Sequence, residues 1–184
     1  DHIAALGQPR QQLEEYWSLA PYTDELLRQT IWELKYNNST HAADLLAHTL
    51  YPNLLEHIAD EWSLVKSEHV VIVPMPGDPH RVTERGFNHI ATLCESLVTI
   101  DEHNLFTLSD ILEREHRAQQ TKQPNREARI QNIAEGMHAE SATPTNSYII
   151  VVDDVITTGA TMNEALRALR MAGYTNIIGV SVAH

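Results

Sequence analysis

The sequence predicts an α/β fold, a mostly parallel central sheet flanked by helices with a helical amino-terminal segment, and three stretches carry that prediction. Residues 148–152 form an apolar run that reads as a strand buried on both faces. Residues 162–172 continue at helical spacing to Gly173, and residues 177–182 make a second apolar strand. Strand, helix and strand within about 35 residues constitute a parallel crossover unit. Val70, Val71, Ile72 and Val73 add a short β-branched run stopped by Pro74 and Pro76, as a buried strand would be.

Upstream of that strand, residues 10–68 read as helical. Leu26, Leu27, Ile31 and Leu34 recur at helical spacing after Thr23 and Asp24, a start signal. A second helix begins near Thr40 with the stripe Ala43, Leu46, Leu50 and Leu54, is interrupted at Pro52, and gives way to a short helix over 55–65. Trp17, Trp32 and Trp62 are assigned to packing in this region. Residues 1–68 are thus expected as a helical segment packed on a core formed by residues 69–184. Within the core, Gly86, Phe87 and Asn88 lead into a helix carrying Ile90, Leu93, Cys94 and Leu97, and residues 105–112 contain another strand. The polar stretch 113–131 has few large apolar residues and reads as a long loop or an exposed helix, of the kind that often carries function.

Composition narrows the function classes. A chain of 184 residues can bury roughly 70% of its unfolded surface, enough for one real core. No apolar run approaches the roughly 18 residues that span a bilayer, and the first residues lack a basic region followed by an apolar one, so a cytoplasmic protein without membrane partners is expected. Cys94 is the only cysteine, which removes intrachain disulfides and cysteine zinc clusters. A formal net charge of −12 argues against broad affinity for nucleic acid. The basic residues are nevertheless concentrated: seven of the thirteen lie between positions 81 and 129 against eight acids, while six face seventeen acids elsewhere. That asymmetry points to a local anion site on an acidic body.

The chemistry gathers in residues 149–161. Four apolar residues run into Asp153 and Asp154 and then into the turn Thr157, Thr158, Gly159, Ala160, Thr161. Ligands of open parallel sheets sit beyond the carboxyl ends of the strands, where these aspartates emerge. The turn opens a helix whose unpaired N–H groups favour a phosphate. Gly159 allows close backbone approach, and the threonines supply hydroxyl donors. Two acids beside a phosphate cradle make sense if the ligand also carries hydroxyls or a cation. A ribose 5-phosphate with a pyrophosphate on C1′ brings both, including Mg²⁺. A plain strand-to-helix turn capped by Thr and Asp is the ordinary alternative.

This segment resembles the phosphoribosyl-pyrophosphate motif of type I phosphoribosyltransferases. Val73, Pro74, Met75, Pro76, then Arg81, Arg85, Gly86, Phe87 and Asn88 resemble the VPxP…R…RGFN stretch of the ComF/GntX family within that fold. Gln120, Thr121, Lys122, Asn125, Arg126, Glu127, Arg129, Asn132 and Ile133 resemble its loop, with one extra residue around Gln123 and Pro124. Tyr22, Leu27, Ile31, Leu34, Lys35 and Tyr36 resemble its helical entry. The family's cysteine-rich zinc module has no counterpart in this sequence.

The resemblance implies binding of 5-phosphoribosyl-1-pyrophosphate. Asp153 and Asp154 would hold the ribose hydroxyls and Mg²⁺, and Thr157, Thr158, Gly159, Ala160 and Thr161 the 5′-phosphate. Pro74, Met75 and Pro76, in the loop that continues to Asp78, would hold the pyrophosphate with Arg81 and Arg85. Arg117, Lys122, Arg126 and Arg129 would neutralise the leaving group from a closing hood, Arg129 acting beside Asn132. Solvated surface placement is the alternative for each of these cations. The function expected is Mg²⁺-dependent phosphoribosyl transfer to an unidentified nitrogen acceptor; the alternative is a non-catalytic donor-binding regulator or a competence accessory protein. A homodimer is left open. The eleven histidines show no zinc-ligand spacing and read as ordinary polar residues, and Cys94 reads as a core residue.

Overall fold

The computed structural model describes residues 15–65, 69–114 and 136–184. Five strands make one sheet in the order β1-β7-β6-β2-β3, with every pair parallel. They are β1 (Tyr16–Ala20), β2 (Val70–Pro74), β3 (Phe106–Leu108), β6 (Tyr148–Val155) and β7 (Asn176–Ala183). Two short strands, β4 (Leu112–Arg114) and β5 (Met137–Ala139), pair antiparallel apart from it. The helices are α1 (Glu25–Asn37), α2 (Thr40–Val65), α3 (Pro79–Arg85), α4 (His89–Thr99) and, between β6 and β7, α5 (Ala160–Met171).

β6 lies at the centre, and its residues from Tyr148 to Val152 are all buried, because helices cover both faces of a parallel sheet. Alternate residues of a strand face opposite sides. Tyr148 meets His57 of α2 and Asp154 meets His89 of α4, so the even-numbered residues of β6 face α1, α2 and α4. Val151 is registered with Gly179, which lies against Met162, so the odd-numbered residues face α5. Gly179 is what lets α5 settle onto β7. A Cβ there would lie 2.5 Å from Met162 Sδ and 2.8 Å from Tyr16 Cβ, and the second of these cannot swing aside. Gly179→Val is therefore expected to cost about 2–3 kcal/mol of unfolding free energy in urea titrations.

The parallel α/β architecture and the β6–α5–β7 crossover agree with the sequence reading. Three features of the amino-terminal region differ. Residues 10–68 are not uniformly helical: β1 interrupts them and enters the sheet as an edge strand beside β7. Ser18 and Ser181, whose hydroxyls are 2.6 Å apart, bridge the two strands. Pro52 does not end a helix; α2 runs through it. Proline in a helix interior forfeits a hydrogen bond at about 3 kcal/mol, but burial of Leu46, Leu50, Leu54 and Ile58 along one face outweighs that loss. Of the tryptophans, Trp17 is buried, whereas Trp32 is 51% exposed and leans on Tyr36 at 5.3 Å between ring centroids. Trp62 lies outside the described side chains. Cys94 is a buried core residue, as expected. Among the described residues no helix is long and apolar enough to cross a membrane.

Candidate functional site

The carboxyl ends of β2 and β6 open onto a cleft of about 150 Å³. Three local devices fix its walls. After β2, Met75 N–H donates to Val152 O at 2.8 Å, and the Asn88 side-chain amide donates to Met75 O at 3.2 Å, so the turn is tied to both neighbours. Residues 79–85 then form α3, where the sequence reading assigned no element. Asp78 caps this helix by accepting from His80 N and Arg81 N, Pro79 stands in its first turn, and Gly86 ends it at φ +82°. Hydrogen bonds to the Arg81 and His80 amides hold the Asp78 carboxyl below its ordinary pKa. Asn88 in turn caps α4, which begins at His89.

The third device is the turn after β6. Gly159 sits at φ +75°, and an added Cβ would fall 2.1 Å from the Tyr16 hydroxyl. Only glycine fits at both counts. Gly159 starts α5 without a side-chain cap hydrogen bond; the nearest, from Ala160 N to Thr158 Oγ1, is 3.4 Å long. The first-turn amides of α5 thus keep their capacity for an anion.

Sequence-predicted residues gather here unevenly. Met75, Pro76, Arg81, Arg85, Asp153, Asp154 and Thr161 all line the cleft. Pro74 does not: it is the last residue of β2, buried and registered with Val152. Thr157, Thr158 and Ala160 are exposed on the turn, and Gly159 is buried beneath Tyr16. Arg117, Lys122, Arg126, Arg129 and Asn132 lie outside the described residues.

The two aspartates have different surroundings. Asp154 is buried, and its Oδ2 accepts from Lys35 Nζ at 2.7 Å and from His89 Nε2 at 2.9 Å. Burial opposes its ionisation, but the His89 hydrogen bond and the Lys35 ammonium prevail and hold the carboxyl well below the usual range. Asp153 is half-buried and accepts from Asp154 N at 2.9 Å. Burial first, and the Asp154 charge second, push its pKa up to about 7.

Sequence reasoning missed Lys35 and His89 as site residues, together with Arg114 at the end of β4 and Tyr16 under the turn. Lys35 had a signal in its place in the helical stretch of family resemblance, and Arg114 had one in the concentration of basic residues between 81 and 129. Arg85 was expected, but not its setting: its guanidinium lies 4.8 Å from the centroid of the Tyr36 ring, a cation–π contact at the cleft rim.

A parallel sheet whose central strand delivers two aspartates to a glycine turn and a helix start defines a phosphoribosyltransferase-like protein, and residues 105–184 match the phosphoribosyl transferase domain model. The chain is similar to the ComF family of type I phosphoribosyltransferase-like proteins. It is 35% identical over 109 residues to the competence protein ComFC of Bacillus subtilis (strain 168), covering 58% of this chain and 40% of that one. It is 30% identical over 135 residues to the competence protein ComFC of Streptococcus pneumoniae (strain ATCC BAA-255 / R6), covering 73% and 54%. The chain thus spans about half the length of these relatives. A solved structure of the allosteric regulatory enzyme of purine biosynthesis aligns over 81% of this chain and 29% of its own, at 18% identity and a TM-score of 0.44, an overlap too slight to inform the site.

Proposed function

We propose that this chain binds 5-phosphoribosyl-1-pyrophosphate with Mg²⁺ and transfers the phosphoribosyl group to a nitrogen acceptor. One observation carries the reading: on a chain of net charge −12, the cleft sets Lys35, Arg81, Arg85 and Arg114 against Asp78, Asp153 and Asp154. Cations outnumber carboxylates there, and an acid sits beside an uncapped helix start, as a ligand with phosphates and hydroxyls demands.

The 5′-phosphate lies on the amides of residues 159–161 with the hydroxyls of Thr158 and Thr161. Asp153 accepts from the ribose. Arg81, Arg85 and Arg114 take the pyrophosphate as the bond from C1′ to oxygen breaks and the bond from C1′ to nitrogen forms on the opposite side. Positioning and leaving-group electrostatics supply the catalysis.

Among the described residues no group of three or more His, Cys, Asp or Glu could cage a metal. That suits Mg²⁺, which binds through one or two carboxylates and the substrate's own phosphates. Asp153 is the carboxylate free to hold it, and the ion, when bound, neutralises pyrophosphate charge. The hood residues of the sequence reading, Arg129 foremost, belong to the same proposal.

The name carried by both relatives favours a second reading, a competence protein that binds the donor without using it. Incubating the protein with Mg²⁺, donor and a panel of nucleobases and amines separates the two. Pyrophosphate release that depends on one acceptor and vanishes in Asp153→Asn is the expected result. No release with any acceptor, together with steeply salt-dependent binding of single-stranded DNA, would favour the second reading.

A further inference from the structure

Arg85, at the rim of the cleft, rests on a ring where other arginines of the chain rest on carboxylates. We propose that Tyr36 is a positioning residue for the pyrophosphate end of the donor: its ring, backed by Trp32, carries the Arg85 guanidinium and leaves its charge and N–H donors available to the ligand. This rests on the donor reading above and adds to it an aromatic pair that lies outside the matched segment 105–184.

The backbone fixes both partners. Arg85 is the last residue of α3, and Gly86 ends that helix at φ +82° with its N–H donating to Val82 O at 2.7 Å. Tyr36 stands in the last turn of α1, next to Lys35 and one turn past Trp32. Neighbouring residues of a helix point about 100° apart, so this turn sends Lys35 inward to Asp154 and leaves Tyr36 52% exposed. Trp32 and Tyr36, four residues apart on one helix face, lie 5.3 Å between ring centroids at a tilt of 40°. The guanidinium carbon of Arg85 lies 4.8 Å from the Tyr36 centroid, and Arg85 lines the cleft.

How an arginine is held decides what it can still bind. Arg28, Arg167 and Arg170 are paired with Glu25, Glu164 and Glu15. Glu164 accepts from both Nε and an Nη of Arg167, which takes up donors and cancels charge together. Among the described residues Arg85 has no carboxylate partner. A ring attracts a cation through its quadrupole without neutralising it, so the charge and the donors of Arg85 remain for an anion. A free arginine side chain loses rotamer freedom when a phosphate orders it, and one already resting on a ring has lost part of that freedom beforehand. Tyr36 thus acts by pre-organisation.

Its place in the fold decides which end of the donor it serves. α3 follows the β2 turn, the proposed pyrophosphate side, whereas the proposed 5′-phosphate seat is the first turn of α5 after β6. Tyr36 should matter to one end only.

Calorimetric titration of inorganic pyrophosphate with Mg²⁺, and separately of ribose 5-phosphate, reads the two ends. Tyr36→Leu should weaken pyrophosphate binding by about three- to tenfold, the scale set by ordering one long side chain, and leave ribose 5-phosphate unchanged. Tyr36→Phe keeps the ring and should restore pyrophosphate affinity. Arg85→Met should weaken pyrophosphate by about tenfold or more, and adding Tyr36→Leu to it should cost nothing further, because the ring then has no cation to hold.

A merely structural role for Tyr36 would weaken both ligands alike. That result, unchanged or tighter pyrophosphate binding in Tyr36→Leu, additive losses in the double variant, or no rescue by Tyr36→Phe would each overturn the assignment while the donor reading stands. Binding of ribose 5-phosphate alone by the unaltered protein overturns it too and spares the phosphate seat. If the unaltered protein binds neither ligand, the donor reading falls and takes the role of Tyr36 with it.

Discussion

Gly159→Ala should lower unfolding stability by about 2–5 kcal/mol and remove detectable binding of a phosphorylated pentose. Two costs add. A non-glycine residue at φ +75° pays about 1–2 kcal/mol for the left-handed backbone. The new methyl would also fall 2.1 Å from the Tyr16 hydroxyl and 2.9 Å from its ring carbon Cζ, an overpacking worth a further 1–3 kcal/mol or so. Tyr16 opens β1 and is registered with Gly179, so it cannot retreat without disturbing the sheet edge. Relief by moving the turn would shift the amides of α5 away from the anion they are proposed to hold. Urea titration and calorimetry with ribose 5-phosphate read the two losses separately. Wild-type values in both would contradict this account of the turn.

Asp153→Asn is the second large effect, and its two consequences have opposite signs. Donor binding should fall by a hundredfold or more, on the order expected when hydrogen bonds to an ionised acceptor are lost at more than one hydroxyl. Stability should instead rise by about 1–2 kcal/mol at pH 8, because the variant removes a half-buried carboxylate set beside another.

The pH dependence follows from linkage. Folded Asp153 keeps its proton to about pH 7, whereas the unfolded chain loses it near the ordinary carboxylate value of 3.8. Its stabilising contribution is present below that value and is lost as pH rises towards 7. Asp154 acts oppositely, and its contribution is lost only as pH falls below the ordinary carboxylate range. The gap in melting temperature between Asp153→Asn and the unaltered metal-free protein should therefore open between about pH 4 and 7 and stay level above that. A gap independent of pH would mean that Asp153 is ionised throughout.

Local signals made the β6–α5–β7 unit legible: an apolar run, a glycine turn at φ +75°, an amphipathic helix and a second apolar run, all contiguous. β1 escaped because its five residues follow a polar stretch and precede a helix, so their apolar members read as part of a helical stripe. Only pairing with β7, some 160 residues away, makes them a strand. Pro52 misled for a related reason: a local cost was visible and the tertiary burial that outweighs it was not. Lys35 and His89 lie 119 and 65 residues from Asp154. A lysine late in an amphipathic helix and a histidine at a helix start look solvated until the fold brings them to one carboxylate. The Asp153 and Asp154 pair was found by its motif, but a motif gives both residues the same role. Their surroundings distinguish them: Lys35 and His89 donate to Asp154, whereas Asp153 accepts from the Asp154 amide.

Titrating 5-phosphoribosyl-1-pyrophosphate with Mg²⁺ into the protein, in parallel with Asp153→Asn, tests the central claim most directly. A saturable heat at one site per chain, absent in the variant, is the predicted result. Equal heats from both proteins, or none from either, would contradict it.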